Sequence, residues 1–163
     1  MTDFDRYVSM YSRDLTRLCL KLCADPHDAE DLFQDTWTRA FDKIDRYSSD
    51  HSFKTWLFTI CVNIFKNSSK SKYNTTKLNF NDSDEKERFL NSIPDDQPDI
   101  DSYLALRTAL SALPKKHRAV IILYYYREFS QSEIAGILDI PEGTVKSRLN
   151  TAKKLLKRRL END

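Results

Sequence analysis

A segment near the C-terminus places two helical patterns on either side of a tight turn, and it constrains the fold more than any other feature. Ser130 is a good N-cap, and Glu133 three residues later completes a capping box ahead of an apolar stretch. Asp139 tolerates a left-handed backbone, and Pro141 suits the first turn of a new helix. The segment therefore predicts a helix-turn-helix whose second helix begins near Glu142.

The second helix of this segment has two faces of opposite character. Its apolar residues recur every three or four positions and must pack on the preceding helices; they are Val145, Leu149, Ala152 and Leu156. The opposite side combines Gly143, Ser147, Asn150, Thr151, Lys154 and Arg158. Short polar side chains near a helix N-terminus suit base edges in a major groove, and long basic ones suit phosphates. The pattern indicates a DNA-reading helix, although a helical hairpin with a solvated basic face has the same periodicity.

The distribution of charge favours a nucleic-acid partner. The 163-residue chain has a formal net charge of only +1, yet from residue 104 to the end it contains 12 Lys or Arg against 6 Asp or Glu. From residue 142 onward the count is 7 against 3. Positive charge concentrated on the predicted reading helix is the electrostatic pattern of a nucleic-acid binder.

The overall composition predicts an all-α protein. The chain has two glycines, few alternating β patterns and long stretches of helix-forming residues. It has no glycine-rich phosphate loop, and we expect no cofactor. The longest apolar run, residues 119–126, is far shorter than the ~20 residues that a membrane span needs, so we expect a cytoplasmic protein.

Three cysteines, an odd number in a chain expected to be intracellular, argue against a disulfide framework. Cys19, Cys23 and His27 recur every four residues, which leaves a metal site as an alternative. Pro26 interrupts that helical repeat, and free cysteines commonly behave as small buried hydrophobes. We therefore expect Cys61 and the other two cysteines to be reduced core residues, with no metal bound.

The chain divides into two predicted helical domains, residues 1–72 and 101–163, joined by a linker over residues 73–100. The linker region is rich in Asn, Asp, Ser and Pro, and residues 78–103 include 8 acidic and 2 basic side chains. This composition predicts an acidic, flexible linker. A structureless loop of that length inside one compact domain is uncommon, which favours two small domains.

A helix predicted over residues 27–45 has one apolar and one acidic face. The apolar positions are Ala29, Leu32, Phe33, Trp37, Ala40, Phe41 and Ile44. The opposite face contains Asp28, Asp31, Gln34, Asp35 and Thr38. Such a face is usually solvated, but carboxylates four residues apart also suit a divalent metal in a helical hydrolase if a second helix supplies facing carboxylates. The sequence offers no such second pair.

The next predicted helix, over residues 53–72, combines lysines with aromatic residues. Residues 51–77 contain 5 lysines and no acid. The aromatic and amide residues among them are Phe53, Trp56, Phe58, Asn63, Phe65 and Asn67. Lysines interleaved with aromatics suit a nucleic-acid strand held through its phosphates while unstacked bases lie on rings. Aromatics at helical spacing equally suit a packed core, and both readings stand at this point.

Two segments together resemble the sigma factors of bacterial RNA polymerase, in particular the extracytoplasmic-function group, which keeps only regions two and four. Residues 28–63 resemble region two and read DAEDLFQDTWTRAFDKIDRYSSDHSFKTWLFTICVN. Residues 112–156 resemble region four and read ALPKKHRAVIILYYYREFSQSEIAGILDIPEGTVKSRLNTAKKLL. The two segments occur in the order and at the separation typical of the family.

The resemblance implies a non-enzymatic factor that binds core RNA polymerase and directs it to promoter DNA, with no small-molecule substrate and with an anti-sigma factor as a further partner. It implies that polymerase is contacted by Asp31, Gln34, Asp35 and Thr38. It implies that the minus-10 element is contacted by Ser52, Phe53, Lys54, Trp56, Asn63 and Lys66. It implies that the minus-35 element is contacted by Lys115, Arg118, Thr144, Lys146, Ser147, Arg148, Asn150, Thr151 and Lys154.

Two stretches depart from the family pattern. Asn67, Ser68 and Ser69 stand where many relatives have an Asp followed by Arg-rich residues, which weakens the phosphate grip expected there. Asn150 and Thr151 stand where relatives often have a basic or aromatic residue, so the resemblance does not imply a promoter sequence. A plain helix-turn-helix regulator, with the first domain as a ligand or dimer module, and a metal-dependent hydrolase are the alternative functions.

Overall fold

A computed structural model describes residues 2–23, 25–50, 52–68, 100–125 and 129–161. The described residues form helices, in agreement with the predicted all-α class. In chain order these are α1 (Asp3–Leu22), α2 (Pro26–Lys43), α3 (Phe53–Asn67), α4 (Ile100–Ser111), α5 (Lys115–Tyr125), α6 (Gln131–Leu138) and α7 (Glu142–Glu161), with a 3-10 turn over Ile44–Arg46. The predicted linker lies outside the described residues, apart from its last residue, which begins α4.

The first half of the chain contains α1, α2 and α3, which pack together through a shared core. Pro26 begins α2 and thereby separates it from α1, as the sequence predicts. The Asp25 carboxylate caps α2 by accepting a hydrogen bond from the His27 backbone N–H at 2.7 Å. The helix predicted over residues 27–45 is confirmed. Helix α3 begins at Phe53 as predicted and ends at Asn67, and the remainder of its predicted span from residue 69 lies outside the described residues.

The helix-turn-helix at the C-terminus is confirmed. The Ser130 hydroxyl accepts from the Glu133 backbone N–H at 3.1 Å, and the Glu133 carboxylate accepts from the Ser130 backbone N–H at 3.0 Å, which completes the capping box. Asp139 adopts φ 56° and ψ 51°, the left-handed conformation that ends α6. Helix α7 then begins at Glu142. Local sequence signals therefore fix the angle at which α7 leaves the body of the protein.

The two halves of the chain pack directly against each other. Buried residues from both halves join one hydrophobic cluster, in which α3 contacts α5 and α6 while the C-terminal half of α1 contacts α5. The Phe58 ring of α3 meets the Phe129 ring edge-on, with centroids 6.3 Å apart. In this structure the two predicted domains thus share an interface, although the sequence indicates two separate helical units.

The left-handed residue at the turn generates a stability prediction. Asp139→Ala should lower the free energy of unfolding by about 1 kcal/mol, because a Cβ without a local polar group is strained in this conformation. Asp139→Gly should retain or raise it, because glycine adopts positive φ freely. Urea denaturation of both variants beside the wild type measures the difference. Equal stability of the Ala and Gly variants would contradict the assignment.

Candidate functional site

The residues predicted to bind polymerase lie together on the outer side of α2. Asp31, Gln34 and Thr38 are exposed, and Asp35 is half-exposed. The opposite side of the helix is anchored in the core by residues that include Leu32, which is fully buried. The spacing that predicts an acidic outward face is therefore realised, and this surface, the acidic face of α2, is available to a partner.

One aromatic residue extends this surface, contrary to the sequence analysis, which counted Phe41 with the buried positions. The side chain is 62% exposed. Its ring lies edge-on to that of Phe4, with centroids 5.2 Å apart, and it stands two turns after Gln34 on the same side of α2. A large exposed aromatic beside polar residues is typical of interface anchors. In the sequence, the feature that indicates this exposure is the position of Phe41 at the edge of the apolar stripe of α2.

The metal-dependent hydrolase finds no support among the described residues. Across the described ranges, no group of three or more His, Cys, Asp or Glu side chains is arranged to hold a metal ion. Asp31 and Asp35 share a helix face, as predicted, but no carboxylate pair of the described part faces them.

The start of α3 contains an aromatic cluster beside the N-cap. The Ser52 hydroxyl accepts from the Thr55 backbone N–H at 3.1 Å, which caps the helix. Phe53, predicted to contact DNA from the surface, is instead only 4% exposed, because its ring stacks on Tyr7 with centroids 3.9 Å apart. Trp56 is half-buried and packs against Tyr47, with ring centroids 5.2 Å apart. Phe53 is therefore a support for this cluster, and Trp56 is the ring nearer the surface.

The polar residues predicted on α3 occupy three different environments. Lys54 forms an ion pair with Asp14 of α1, with Nζ 3.3 Å from the carboxylate, and both side chains are partly exposed. Asn63 is half-exposed and lines an open cavity of about 480 Å³ between α2 and α3. Lys66 donates from Nζ to the Leu138 carbonyl oxygen at 3.0 Å. Lys54 and Asn63 lie at the surface, whereas Lys66 is directed towards the second half of the chain.

The cavity beside Asn63 also contains two cationic residues that the sequence analysis did not select. Arg39 and Lys43 of α2 line the same cavity. Their spacing of four residues predicts that they share a face of α2. Their position opposite Asn63 was not predictable from the sequence, because it depends on how α2 packs on α3. The two cations place positive charge near the Asn63 amide, and the Asp35 carboxylate lines the same cavity.

Helix α7 presents its predicted reading face to solvent. The residues of that face are exposed, and they are Gly143, Ser147, Asn150, Thr151, Lys154 and Arg158. Lys146 beside them is also exposed, while Thr144 and Arg148 are half-buried. The Ser147 hydroxyl donates to the Thr144 carbonyl oxygen at 3.1 Å, which links two of the residues predicted to contact the minus-35 element. Of the apolar stripe of α7, Val145, Leu149 and Ala152 are buried and Leu156 is half-buried.

Arg118, predicted to reach a phosphate, is instead fully buried at the junction of the two halves. Its guanidinium donates to the carbonyl oxygens of Leu22 at 2.8 Å, Ser111 at 2.7 Å and Leu113 at 2.8 Å. Burial lowers its pKa to about 10, so the group remains charged at neutral pH. In this structure Arg118 cannot contact DNA, because its guanidinium is buried and donates its hydrogen bonds to backbone carbonyl oxygens. This burial was not predictable from the sequence, because the Leu22 carbonyl is 96 residues away along the chain.

Lys115, also predicted to contact a phosphate, is half-buried at the same junction. Its Nζ donates to the Ser68 hydroxyl at 2.7 Å and lies 5.2 Å from the centre of the Phe65 ring. Burial, followed by the nearby Arg118 charge, lowers the pKa of Lys115. Its amine therefore faces the first half of the chain.

The three cysteines are free thiols and are buried, as predicted. The Cys19 and Cys61 sulfurs lie 3.8 Å apart between α1 and α3. Burial raises the pKa values of Cys19 and Cys23 well above the usual thiol range. All three thiols are thus packed in the core, and burial favours the neutral form of Cys19 and Cys23.

Comparison with known protein families identifies two matching regions, in chain order. Residues 7–74 match the model of sigma-70 region 2, and residues 103–156 match the model of sigma-70 region 4. The first match contains the acidic face of α2 and the whole of α3. The second contains α5, α6 and most of α7. None of the described helices is both long and apolar enough to cross a membrane.

Similar curated proteins are extracytoplasmic-function (ECF) RNA polymerase sigma factors. The chain is 32% identical to SigM of Bacillus subtilis, with 94% of this chain and 92% of that protein covered. It is 29% identical to SigW of the same organism, with coverages of 98% and 89%. It is 34% identical to SigL of Mycobacterium tuberculosis, with coverages of 90% and 82%. These alignments extend along nearly the whole chain.

Two similar solved structures each align with both halves of this chain. The sigma factor RpoE, in its complex with the anti-sigma factor NepR from Bartonella quintana, matches with a TM-score of 0.71 and 26% identity, covering 100% of this chain and 99% of that one. CnrH in complex with the cytosolic domain of CnrY matches with a TM-score of 0.67 and 22% identity, covering 98% and 88%. The second likeness concerns the fold alone.

The buried cysteines generate a prediction about thiol chemistry. In the folded protein, iodoacetamide at pH 8 should modify Cys19, Cys23 and Cys61 far more slowly than a free thiol, because burial blocks access to all three. For Cys19 and Cys23 burial also disfavours the reactive thiolate. All three should react after unfolding in guanidinium chloride. Mass spectrometry of digested protein follows each site. Rapid modification of any one in the native protein would contradict its placement in the core.

Proposed function

The chain belongs to the extracytoplasmic-function sigma factors of bacterial RNA polymerase, and from this membership we propose that it binds core polymerase and directs it to specific promoters. Proteins of this family are initiation factors and not enzymes. The observation that carries the proposal is the presence, in one chain and in family order, of an exposed acidic face on α2 and an exposed basic reading helix, α7. The function requires the compartment in which polymerase works, the cytoplasm.

The acidic face of α2 is the proposed polymerase-docking surface. Asp31, Gln34, Asp35 and Thr38 would contact the clamp coiled coil of the largest subunit, as in the family. Their outward position on a helix anchored in the core supports this assignment. Phe41 adds an apolar anchor at the edge, where burying a large ring strengthens a mainly polar interface.

The start of α3 and the loop before it form the proposed minus-10 site. An extruded base needs a pocket beside aromatic and amide groups, and unstacking costs a few kcal/mol that such a pocket offsets in part. Ser52, Trp56 and Asn63 provide hydroxyl, ring and amide groups at or near the surface. Lys54 and Lys66 are the proposed phosphate contacts. Phe53 acts here through the stacked cluster that holds Trp56, not by touching DNA.

Helix α7 is the proposed reader of the minus-35 element. Its N-terminal turns present short side chains that can approach base edges, and its later turns present long basic ones for phosphates. The proposed base contacts are Thr144, Lys146, Ser147, Asn150 and Thr151. The proposed phosphate contacts are Lys115, Arg148 and Lys154; Arg118 is fully buried and is not among them.

Control by an anti-sigma factor is proposed from the relatives. RpoE, which resembles this chain over its full length, was solved bound to the anti-sigma factor NepR. An inhibitor that covers the α2 face or the α7 face would block polymerase or promoter binding.

A plain helix-turn-helix regulator is the alternative function. Such a protein binds duplex DNA without polymerase and uses its first domain for a ligand or for dimerisation. The match of residues 7–74 to sigma-70 region 2 argues against it, because that region is the polymerase-binding part of sigma factors.

Asp35→Arg is predicted to abolish binding to core polymerase without unfolding the protein. The substitution reverses a charge in the middle of the acidic face, which repels a basic partner surface. Fluorescence anisotropy of labelled protein titrated with core polymerase, at a stated salt concentration, measures the affinity. The matched control is Asp45→Arg, which makes the same charge change at an exposed residue after α2 and should bind normally. Undiminished binding of the Asp35 variant would overturn the docking assignment.

Lys146→Ala is predicted to change the base preference at the minus-35 element. Removing a side chain that contacts base edges relaxes selection at one position, whereas removing a phosphate contact weakens all sequences alike. In vitro transcription from a randomised promoter library measures the preference. The matched control is Arg159→Ala, on the opposite side of α7 from Asn150 and equally exposed. A preference profile identical to that of the wild type would remove Lys146 from the reading set.

A further inference from the structure

The cavity of about 480 Å³ between α2 and α3 has one cationic wall and one amide wall. On α2 it is lined by Arg39 and Lys43, both exposed, and on α3 by Asn63 and Asn67. We propose that this cavity, the α2–α3 cleft, binds the sugar-phosphate backbone of a promoter strand, with Arg39 and Lys43 as its phosphate contacts. The inference rests on the proposed function, because it takes the strand to be the one whose minus-10 bases meet α3.

The cations and the amides form two facing rows. Arg39 and Lys43 are one helical turn apart, which separates them by ~6 Å along the axis of α2. Asn63 and Asn67 have the same spacing on α3. The guanidinium and ammonium groups can donate to phosphate oxygens, and the amides can both donate to and accept from a base or a sugar. A strand in the cleft would therefore have its backbone on the α2 side and its bases or sugars on the α3 side.

The cleft continues the proposed minus-10 site along one face of α3. Trp56, Ile60, Asn63 and Asn67 recur every three or four residues, so they share a stripe of the helix. Trp56 lies near the start of α3, and Asn63 follows about two turns later, ~10 Å along the axis. A strand whose unstacked base meets Trp56 thus enters the cleft within a few nucleotides.

The lysines already assigned to phosphates near α3 have other partners in this structure. Lys54 pairs with the Asp14 carboxylate at 3.3 Å, and Lys66 donates to the Leu138 carbonyl oxygen at 3.0 Å. Each nucleotide of a strand carries a negative charge, so a site that takes its bases also needs cations beside its path. The two cations of the cleft supply that charge next to Asn63, an amide already assigned to the minus-10 element.

One acidic residue also lines the cleft. Asp35 stands one turn before Arg39, at the end nearer the acidic face of α2, so the lining contains two cations against one carboxylate. Asp35 is also a proposed polymerase contact. Docking would pair its carboxylate with a basic partner surface and raise the positive potential at Arg39 and Lys43. We therefore expect the cleft to hold DNA more tightly in the holoenzyme than in the free protein.

The shape of the cleft favours a polymer over a small ligand. A pocket for a small molecule encloses most of the ligand and is lined mainly by apolar groups. This cavity is open to solvent, and its apolar lining consists of Ile60 and Ile64. A strand that enters on one side and leaves on the other requires such an opening.

Arg39→Ala/Lys43→Ala tests the proposal beside the matched control Arg6→Ala/Arg13→Ala, which removes two exposed cations of α1 that do not line the cleft. Holoenzyme made with each protein is titrated, over a range of salt concentrations, with promoter DNA that the wild type has selected from a random library. The test variant should bind more weakly than the wild type at low salt. Its plot of log affinity against log salt should be shallower by about two, since each lost phosphate contact lowers the slope by about one. The control should match the wild type.

Lys43 lies in the last turn of α2, where a cation also favours the helix, so circular dichroism accompanies each titration. If the double variant is unfolded, Arg39→Ala alone provides the test, with a slope change of about one. A folded variant with the affinity and salt slope of the wild type would overturn the proposal and leave the proposed function standing. So would a variant that loses core polymerase instead of DNA, because its cations would then belong to the docking surface.

Two further measurements use the free protein. If the wild type does not bind core polymerase, the proposed function is overturned, and anisotropy with a single-stranded oligonucleotide then decides the fate of the cleft. Binding that is weakened in the test variant but not in the control would uphold a nucleic-acid site, and equal or absent binding would overturn it. Titration with ATP examines the small-ligand alternative. Tight ATP binding that the test variant loses would overturn the assignment to a DNA strand.

Discussion

The buried guanidinium of Arg118 determines how the rest of the structure is arranged. A charge removed from water is tolerated only when hydrogen bonds replace its hydration. Here the replacement comes from two sources, the Ser111 and Leu113 carbonyls just before α5 and the Leu22 carbonyl at the end of α1. The first pair fixes the turn that begins the second half of the chain. The last bond ties that half to the first, so one side chain organises a turn and an interface together.

From this junction outward, the two surfaces assigned to function are positioned by different kinds of interaction. The acidic face of α2 points to solvent because the other side of the helix is embedded in the core with α1 and α3. The reading face of α7 points to solvent because the Ser130 capping box and the left-handed Asp139 fix the preceding turn, and a buried apolar stripe then sets the rotation of the helix. The acidic face of α2 is thus oriented by packing against helices that are distant in sequence. The reading face of α7 depends first on local capping and turn residues, which determine where the helix begins.

This difference explains how much of the molecule could be predicted from its sequence. Ser130, Asp139 and Pro26 act on neighbours within a few residues, so the helix boundaries and the turn were predictable, as was the outward face of α2. The positions of Phe53 and Arg118 were not, because the Tyr7 ring and the Leu22 carbonyl that surround them are distant in sequence. A basic or aromatic residue on a helical repeat has the same pattern whether it meets DNA or the protein's own backbone. Only the packing of the helices distinguishes the two.

The cations at the junction show the physical reason why a basic residue predicted to bind DNA can instead bind the protein's own backbone. A guanidinium or ammonium group that binds phosphate oxygens is equally suited to helix-terminal carbonyls, because both present oxygen with excess negative charge. In this structure the Leu22 carbonyl at the end of α1 accepts from Arg118, and the Leu138 carbonyl at the end of α6 accepts from Lys66. The position of a basic residue along a helix therefore does not determine which oxygen its side chain meets. That is determined by which helix ends the packing brings within its reach.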